Sequence, residues 1–239
     1  MSAEPSLLKL ENVSFYYTKN NKILDNVNFN LLPGEQVGII GNNGSGKSTI
    51  AKLLLGIHTP QKGTVNLFGK QVLWSKHYPL LGYIGDPSHN SEELGLPIGI
   101  LVEEVIKTFK NLLNYSQHNN ELCDELIEKL KLDKLYCRDV GKLSKGERRK
   151  LMAFLALGKE IKLLIADEAT EGLDDEVEKL LLTVIKERVK KKKIGMLWIS
   201  HRRNEIINLT NSVFCIKNGK LTYLENYPSP VDRLSEIKI

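Results

Sequence analysis

A glycine-rich segment has the residue types and the spacing of a phosphate-binding loop. Residues 41–48 read GNNGSGKS, which satisfies G-x-x-x-x-G-K-[ST] between an apolar stretch and a helical one. Glycines let a backbone wrap an anion with its amide hydrogens pointing inward, and the helix that follows points its positive end at the same place. We therefore expect Lys47 to neutralise the β and γ phosphates of a nucleotide and Ser48 to hold Mg²⁺. An ordinary glycine-rich turn is the alternative.

Two apolar stretches later in the chain end in groups that suit phosphate hydrolysis. Residues 163–168 read LLIADE, and residues 198–201 read WISH. Ligand sites of a parallel sheet lie at the carboxyl ends of its strands, so we expect Asp167 to order Mg²⁺ and its waters and Glu168 to polarise the attacking water. His201 is a candidate for contact with the γ-phosphate. The alternatives are a solvated acidic turn for the carboxylates and a structural role for the histidine.

Hydrophobic periodicity predicts the elements that must position these groups. Strands are predicted over residues 8–15, 27–32, 36–40, 63–68, 81–84, 161–166 and 195–200, with a closing hairpin over 213–216 and 220–224. Helices are predicted over residues 49–56, 98–113, 121–130, 147–157 and 176–190. Apolar strands separated by helices indicate a largely parallel sheet covered on both faces, interrupted by a helical insert.

The composition excludes several classes of protein. Of the 239 residues, 41% are hydrophobic and 26% are charged, as in a folded globular chain and unlike a disordered one. No apolar run approaches the roughly 20 residues of a membrane-spanning helix, and residues 1–10 show no signal-peptide pattern, so we expect a cytoplasmic protein. The three cysteines contain no CxxC pair, which predicts free thiols and argues against a disulfide framework or a zinc site.

The net charge of +5 is mild, and much of it lies in residues 186–193, which read KERVKKKK. We interpret this run as the solvated end of a helix. Contact with nucleic acid or anionic lipid is the alternative.

One further motif connects the phosphate loop with the acidic strand end. Residues 143–147 read LSKGE, which resembles the signature of ABC (ATP-binding cassette) proteins, usually written LSGGQ, and the motif stands shortly before the acidic strand, where the family carries it. Ser144 and Glu147 also have the spacing of a capping box, so this helix start presents free amides and a positive dipole. From Leu8 to about Leu224, the chain resembles the nucleotide-binding domain of an ABC protein.

The resemblance implies the fold class and the domain organisation. It implies an α/β fold with a P-loop NTPase (RecA-like) core and a mostly parallel sheet, an N-terminal antiparallel β subdomain and an inserted α-helical subdomain. The whole of 1–239 is then a single ABC ATPase domain. Residues 1–86 and 158–239 form the nucleotide-binding core with its β subdomain, and 87–157 form the helical signature subdomain.

The resemblance also implies roles for individual residues. Residues 13–17, VSFYY, match the segment whose aromatic side chain stacks on adenine, and Tyr17 stands at the position of that aromatic residue. A surface aromatic residue on a strand is the alternative. Residues 171–174, EGLD, look like the D-loop that crosses the dimer interface, and His201 matches the switch histidine. The expected ATP-binding residues are Tyr17, Gly41, Asn42, Asn43, Gly44, Ser45, Gly46, Lys47, Ser48, Thr49, Ser144 and Gly146. The expected catalytic residues are Lys47, Glu168 and His201, and the expected Mg²⁺ ligands are Ser48, Asp86 and Asp167.

The sequence departs from the family pattern in three places. Asp86 stands where the family has a glutamine that contacts Mg²⁺ and senses the transmembrane partner; it either binds a magnesium water or is a turn residue before Pro87. Lys145 and Glu147 replace a glycine and the glutamine of the signature, changes that the family tolerates. Ala169 stands where many importers have proline. Alanine at this position is associated with exporters and with energy-coupling-factor ATPases.

Taken together, the motifs and the resemblance predict an ATPase subunit that is peripheral on the cytoplasmic face of a membrane. In the family, two cassettes pack head to tail, so Ser144 and Gly146 are expected to act on the nucleotide of the other subunit. We expect ATP and Mg²⁺ as cofactors, a homodimer or a heterodimer with another ABC ATPase, a separately encoded permease as partner, and no nucleic acid. Residues 43–54 are similar to energy-coupling-factor and cobalt-type cassettes, which favours import.

Two other functions stay open at this point. One is a nucleotide-gated regulatory subunit that scarcely hydrolyses ATP, suggested by the altered signature and by Asp86. The other is a soluble ABC protein of DNA repair or translation. Proteins of that kind carry long coiled-coil insertions or tandem cassettes, for which 239 residues leave no room.

Overall fold

The computed structural model describes residues 6–18, 21–72, 79–85, 96, 99–113 and 117–225. The strands are β1 (Leu8–Thr18), β2 (Asn21–Leu31), β3 (Gln36–Ile40), β4 (Lys62–Leu67), β5 (Lys70–Gln71), β6 (Leu81–Ile84), β7 (Leu163–Asp167), β8 (Gly195–Ile199), β9 (Ser212–Lys217) and β10 (Lys220–Tyr223). The helices are α1 (Lys47–Leu54), α2 (Val102–Leu112), α3 (Gln117–Leu130), α4 (Lys145–Leu157), α5 (Asp175–Lys192) and α6 (Arg203–Leu209). The chain divides into two compact units, the first drawn from residues 1–78, 165–168 and 193–239 and the second from 79–164 and 169–192.

The first unit contains an antiparallel sheet and most of a parallel one. The antiparallel sheet has the order β2-β1-β4-β5, and in the other sheet the strands of this unit follow the order β10-β9-β3-β8-β7. Strand β3 pairs in parallel with β8 and with β9. Strands β7 and β8 are buried along their whole length, which is why they read as continuous apolar runs. The predicted α/β fold with a largely parallel sheet is confirmed.

Backbone hydrogen bonds bring the ends of β3, β7 and β8 to one edge of this sheet. The amide of Glu168 donates to the carbonyl of Ile199 at 2.9 Å, and the amide of Ser200 donates to the carbonyl of Ile39 at 3.2 Å. The phosphate loop, the acidic strand end and the WISH segment are therefore neighbours, as the parallel arrangement predicts.

The second unit consists of α2 to α5, β6 and the first two residues of β7. Inside it, Phe109 and Phe154 pack edge to face with ring centroids 5.3 Å apart. The Cys123 thiol donates to the carbonyl of Gly158 at 3.3 Å. Burial raises the pKa of this thiol to about 11, so it stays protonated near neutral pH. All three cysteines lie in the described part of the chain and are free thiols, as predicted.

Several element boundaries differ from the predicted ones for identifiable reasons. Helix α2 begins at Val102 and not at Ile98, because Gly99 has φ +80° and the Leu101 amide donates to the Glu104 carboxylate at 2.9 Å. Strand β2 begins earlier than predicted, at Asn21, because its polar first residues extend the pairing with β1 beyond the apolar stretch. The short elements β5 and α6 were not predicted, since each is too brief to show a period.

Candidate functional site

The loop between β3 and α1 has a backbone that leaves the start of the helix open. Gly44 and Gly46 have φ of +76° and +107°, left-handed values that favour glycine. A Cβ atom at Gly46 would come within 2.9 Å of the Ile23 side chain. Gly46 occupies the cap position of α1 and supplies no side chain to bond the first helical amides. The positive end of α1 is thus available to an anion, as a phosphate loop requires.

Lys47 lies folded over this loop. Its side chain is almost fully buried, and Nζ donates to the carbonyl oxygens of Gly41 at 2.9 Å and Asn42 at 3.2 Å. The hydroxyl of Ser45 is buried in the same loop and has no hydrogen-bond partner among the described residues. A buried ammonium group and an unpaired buried hydroxyl fit a phosphate, because both are donors that an anion would satisfy.

Ser48 and Asp167 form the part of the site that fits Mg²⁺. The hydroxyl of Ser48, in the first turn of α1, donates to Oδ1 of Asp167 at 3.3 Å, although the two residues lie 119 positions apart. Mg²⁺ prefers oxygen ligands and is commonly held by one or two carboxylates together with substrate phosphates. The third predicted ligand, Asp86, lies outside the described residues.

Glu168 stands at the centre of the charged groups. Its Oε2 lies 2.9 Å from Nδ1 of His201, and its Oε1 lies 3.6 Å from Nζ of Lys47. The backbone of Glu168 is left-handed, with φ +48°, a conformation that is costly for a residue with a side chain and is frequent at functional sites. The carboxylate is mostly buried and yet retains some access to solvent, as a group that must meet a water molecule needs.

Glu205 is a buried carboxylate that contacts the residues on both sides of His201, and it is not among the predicted site residues. Glu205, in the first turn of α6, accepts hydrogen bonds from Trp198 and Ser200 and pairs with Arg202. The signal in the sequence is an acidic residue a few positions after a strand-end histidine. Helix α6 has only seven residues and leaves no helical period in the sequence, so this signal is not apparent without the structure.

Tyr17 and Tyr16 differ in their surroundings. The Tyr17 ring is half exposed, packs edge to face on Phe15 and His58, and its hydroxyl lies 3.4 Å from Oγ1 of Thr49 in α1. Tyr16 is tied through its backbone to the side chain of Gln61 instead. Tyr17 is therefore the tyrosine whose hydroxyl lies beside α1 and whose ring is half open to solvent.

The signature motif lies in the second unit, where the predicted capping box is present. The hydroxyl of Ser144 accepts from the amide of Glu147 at 3.2 Å, and the Glu147 carboxylate accepts from the amide of Ser144 at 2.8 Å. Partial burial raises the pKa of the Glu147 carboxyl, but these hydrogen bonds and the nearby Arg138 outweigh it, so the pKa lies below the ordinary value. The Glu147 carboxylate is thus ionised at neutral pH, and its contribution to the cap is lost only in acid.

The predicted site residues belong to both compact units of the chain. Lys47, Ser48, Asp167, Glu168 and His201 come together in the first unit, with Tyr17 next to them through Thr49. Ser144 and Gly146 belong to the second unit. Gly146 packs closely, since a Cβ atom there would lie 3.3 Å from Val177.

The chain is similar to known ATP-binding proteins of transport systems. An energy-coupling factor transporter ATP-binding protein of Fusobacterium nucleatum is 33% identical over 223 residues, which cover 92% of this chain and 82% of that protein. The zinc uptake system ATP-binding protein ZurA of Listeria monocytogenes is 29% identical over 218 residues, or 88% of this chain and 82% of that one. A solved structure described as the ATP binding subunit of an ABC transporter matches with a TM-score of 0.78 at 25% identity, covering 96% of this chain and 98% of the other.

No helix in the described ranges is long and apolar enough to cross a membrane. The family model described as "ABC transporter" matches residues 24–171, more than half of the chain. With a phosphate loop, an acidic strand end and a capped signature helix in the order of that family, the chain belongs to the ABC transporter family.

Proposed function

We propose that this chain is an ATP-hydrolysing subunit that dimerises on ATP and drives a separately encoded membrane permease. The observation that carries the proposal is the position of Glu168, whose carboxylate is shared between His201 and Lys47 beside the Ser48–Asp167 pair. A carboxylate with this access suits a general base for water, and an ammonium group next to it suits the terminal phosphate.

The residues divide the work of hydrolysis among them. Lys47 exchanges its two loop carbonyls for phosphate oxygens when ATP binds, because an anion is the better acceptor. Glu168 orients water and accepts its proton, and His201 holds the carboxylate through Nδ1. Ser48 and Asp167 would hold Mg²⁺, with Asp86 as a further ligand proposed from the sequence; when bound, Mg²⁺ neutralises charge on the β and γ phosphates.

Membership of the family supports a specific assembly. We propose a single ATPase domain with residues 87–157 as its helical signature subdomain, and a dimer, of identical or different cassettes, in which Ser144 and Gly146 face the nucleotide of the other subunit. The relatives named above are ATP-binding proteins of a zinc uptake system and of an energy-coupling factor transporter, which supports import and a place on the cytoplasmic face of a membrane.

The test is Mg-ATP turnover by the purified chain, alone and with the membrane protein that co-purifies with it from native membranes. We expect hydrolysis that rises when the membrane protein is present. ATP binding without measurable turnover in either preparation would favour the regulatory subunit over the ATPase. Co-purification with nucleic acid and with no membrane protein would favour the non-transport alternative.

Removal of the Tyr17 ring is expected to weaken ATP binding without blocking the chemical step. Stacking of a base on an aromatic side chain is worth about 1–3 kcal/mol, so Tyr17→Ala should raise the KM for ATP about 5- to 150-fold with a small change in kcat. Tyr17→Phe should keep most of the affinity. Tyr16→Ala is the matched variant on the same strand, and a larger KM effect there than at Tyr17 would move the adenine site to Tyr16.

A bulky cation at the signature is expected to stop turnover and spare the binding of ATP to the monomer. Ser144→Arg removes the capping hydroxyl and places a guanidinium where the other subunit's nucleotide must dock. ATP binding measured on the monomer should stay within about twofold of the parent, while turnover falls by at least about 100-fold. Ser144→Thr, which keeps a capping hydroxyl, is the control. Equal loss of monomer binding in Ser144→Arg would contradict a composite site.

A further inference from the structure

Glu205 is an almost fully buried carboxylate with partners for both of its oxygens. It is 4% exposed. Its Oε2 accepts from Nε1 of Trp198 at 3.2 Å and from the hydroxyl of Ser200 at 3.1 Å, and its Oε1 lies 2.7 Å from Nη1 of Arg202. Burial of a charge is costly unless it is paired and hydrogen-bonded, so these contacts hold one another in place.

These partners surround His201 in the sequence. Ser200 and Arg202 flank the histidine directly, and the Ser200 hydroxyl also accepts from the Arg202 amide at 3.0 Å. The carboxylate of Glu205 therefore anchors the turn on both sides of His201. Trp198 adds a fixed point in the strand before it, since its side chain is completely buried.

The His201 side chain is only partly enclosed. Its side chain is 39% exposed, and it contacts Glu168 through Nδ1 at 2.9 Å. The backbone of the turn sets the position from which the ring reaches Glu168, because side-chain rotamers are defined relative to the backbone. The anchor of the turn is thus a main determinant of where the ring lies.

We propose that Glu205 is a positioning residue for ATP hydrolysis: its carboxylate fixes the Ser200–Arg202 turn and thereby holds His201 on Glu168. The inference rests on the proposed hydrolytic function. It goes beyond that function because Glu205 contacts the residues on both sides of His201 and is proposed to act through that histidine. A displacement of about 1 Å at a catalytic group is enough to lower a rate about 100-fold.

Glu205→Gln is the first variant. Glutamine keeps the size and one acceptor oxygen for Trp198 and Ser200, but it turns an NH₂ group toward Arg202 in place of the negative oxygen. We expect kcat to fall at least about tenfold with the KM for ATP within about twofold of the parent. Ser200→Ala, which removes the hydroxyl that joins Glu205 to the Arg202 amide, should lower kcat in the same direction.

The control for general destabilisation is Thr210→Val. Thr210 lies just after the other end of α6, is 2% exposed and donates to the carbonyl of Ile206 at 2.7 Å. Its replacement perturbs the same helix without touching the turn at His201. We expect its kcat to stay within about twofold of the parent even if the unfolding temperature falls.

A double variant tests whether Glu205 acts through His201. In a His201→Ala background, Glu205→Gln should lower kcat by less than about twofold, because residues that act as one unit are non-additive. A full tenfold loss in that background would show that Glu205 acts elsewhere and would overturn the proposal. So would a Glu205→Gln protein with the kcat of the parent.

The positions of the histidine rings provide a readout that does not depend on hydrolysis. The chain has five histidines, so ring resonances from ¹⁵N-histidine labelling can be assigned to His201 with a His201→Gln variant. They should shift in Glu205→Gln and in Ser200→Ala and stay in place in Thr210→Val. Unmoved resonances overturn the proposal, whatever the activity. Shifted resonances in a chain whose parent does not hydrolyse ATP leave the positioning intact and contradict the proposed function instead. If Glu205→Gln does not fold, Ser200→Ala decides both measurements.

Discussion

Turnover of Mg-ATP is expected to fall about 100- to 1,000-fold when Lys47 is replaced by alanine. Its buried ammonium group donates to the carbonyls of Gly41 and Asn42 in the loop, and it stands 3.6 Å from Glu168. Its loss removes the positive charge that faces the terminal phosphates. The effect is large because the group is shielded from water, and charges interact more strongly in a protein interior than in water.

The control for this variant is Lys52→Ala. Lys52 lies in the last turn of the same helix, so the change removes an equal charge from α1 away from the loop. We expect near-parental turnover from Lys52→Ala, and unfolding temperatures measured for both variants show whether the loop itself is damaged. Near-normal turnover in a folded Lys47→Ala protein would contradict the phosphate-loop assignment.

Glu168→Gln is expected to convert the chain into a form that binds ATP and does not release it by hydrolysis. Glutamine keeps the shape of the side chain and a hydrogen-bonding group for His201, but it removes the charge that accepts a proton from water. General-base catalysis contributes about 100- to 10,000-fold, so turnover should fall by that range while ATP affinity is retained. The result should be a dimer that persists in Mg-ATP.

Gel filtration with and without Mg-ATP measures this directly. Glu176→Gln provides a matched loss of charge, because Glu176 is exposed on α5 and its ion pair with Lys131 is a surface contact of small energy. That control should hydrolyse ATP like the parent and show no persistent dimer. A Glu168→Gln protein that stays monomeric at saturating ATP, or that hydrolyses ATP as fast as the parent, would argue against Glu168 as the catalytic carboxylate.

The elements with strong local signals are predicted from the sequence alone. Residues 41–48 carry both the glycines and the lysine of the loop, with the apolar strand β3 before them and helix α1 starting at Lys47, so one short segment contains the whole signal. The capping box at Ser144 and Glu147 is equally local, and the structure has it. Strands β3 and β6 even match the predicted bounds, because turn residues delimit them.

The sequence alone identifies the chemical groups of this protein, because the phosphate loop, the acidic strand end and the signature each depend on neighbouring residues. Only the tertiary structure decides how those groups meet. Ser48 reaches Asp167 across 119 positions, and Tyr17 rather than Tyr16 lies beside α1 because the pairing of β1 sets which side chain faces the loop. Glu205 is close to His201 in the chain, yet its role depends on the direction of a helix too short to leave a period in the sequence, so its partners become visible only when β8 and α6 are packed together.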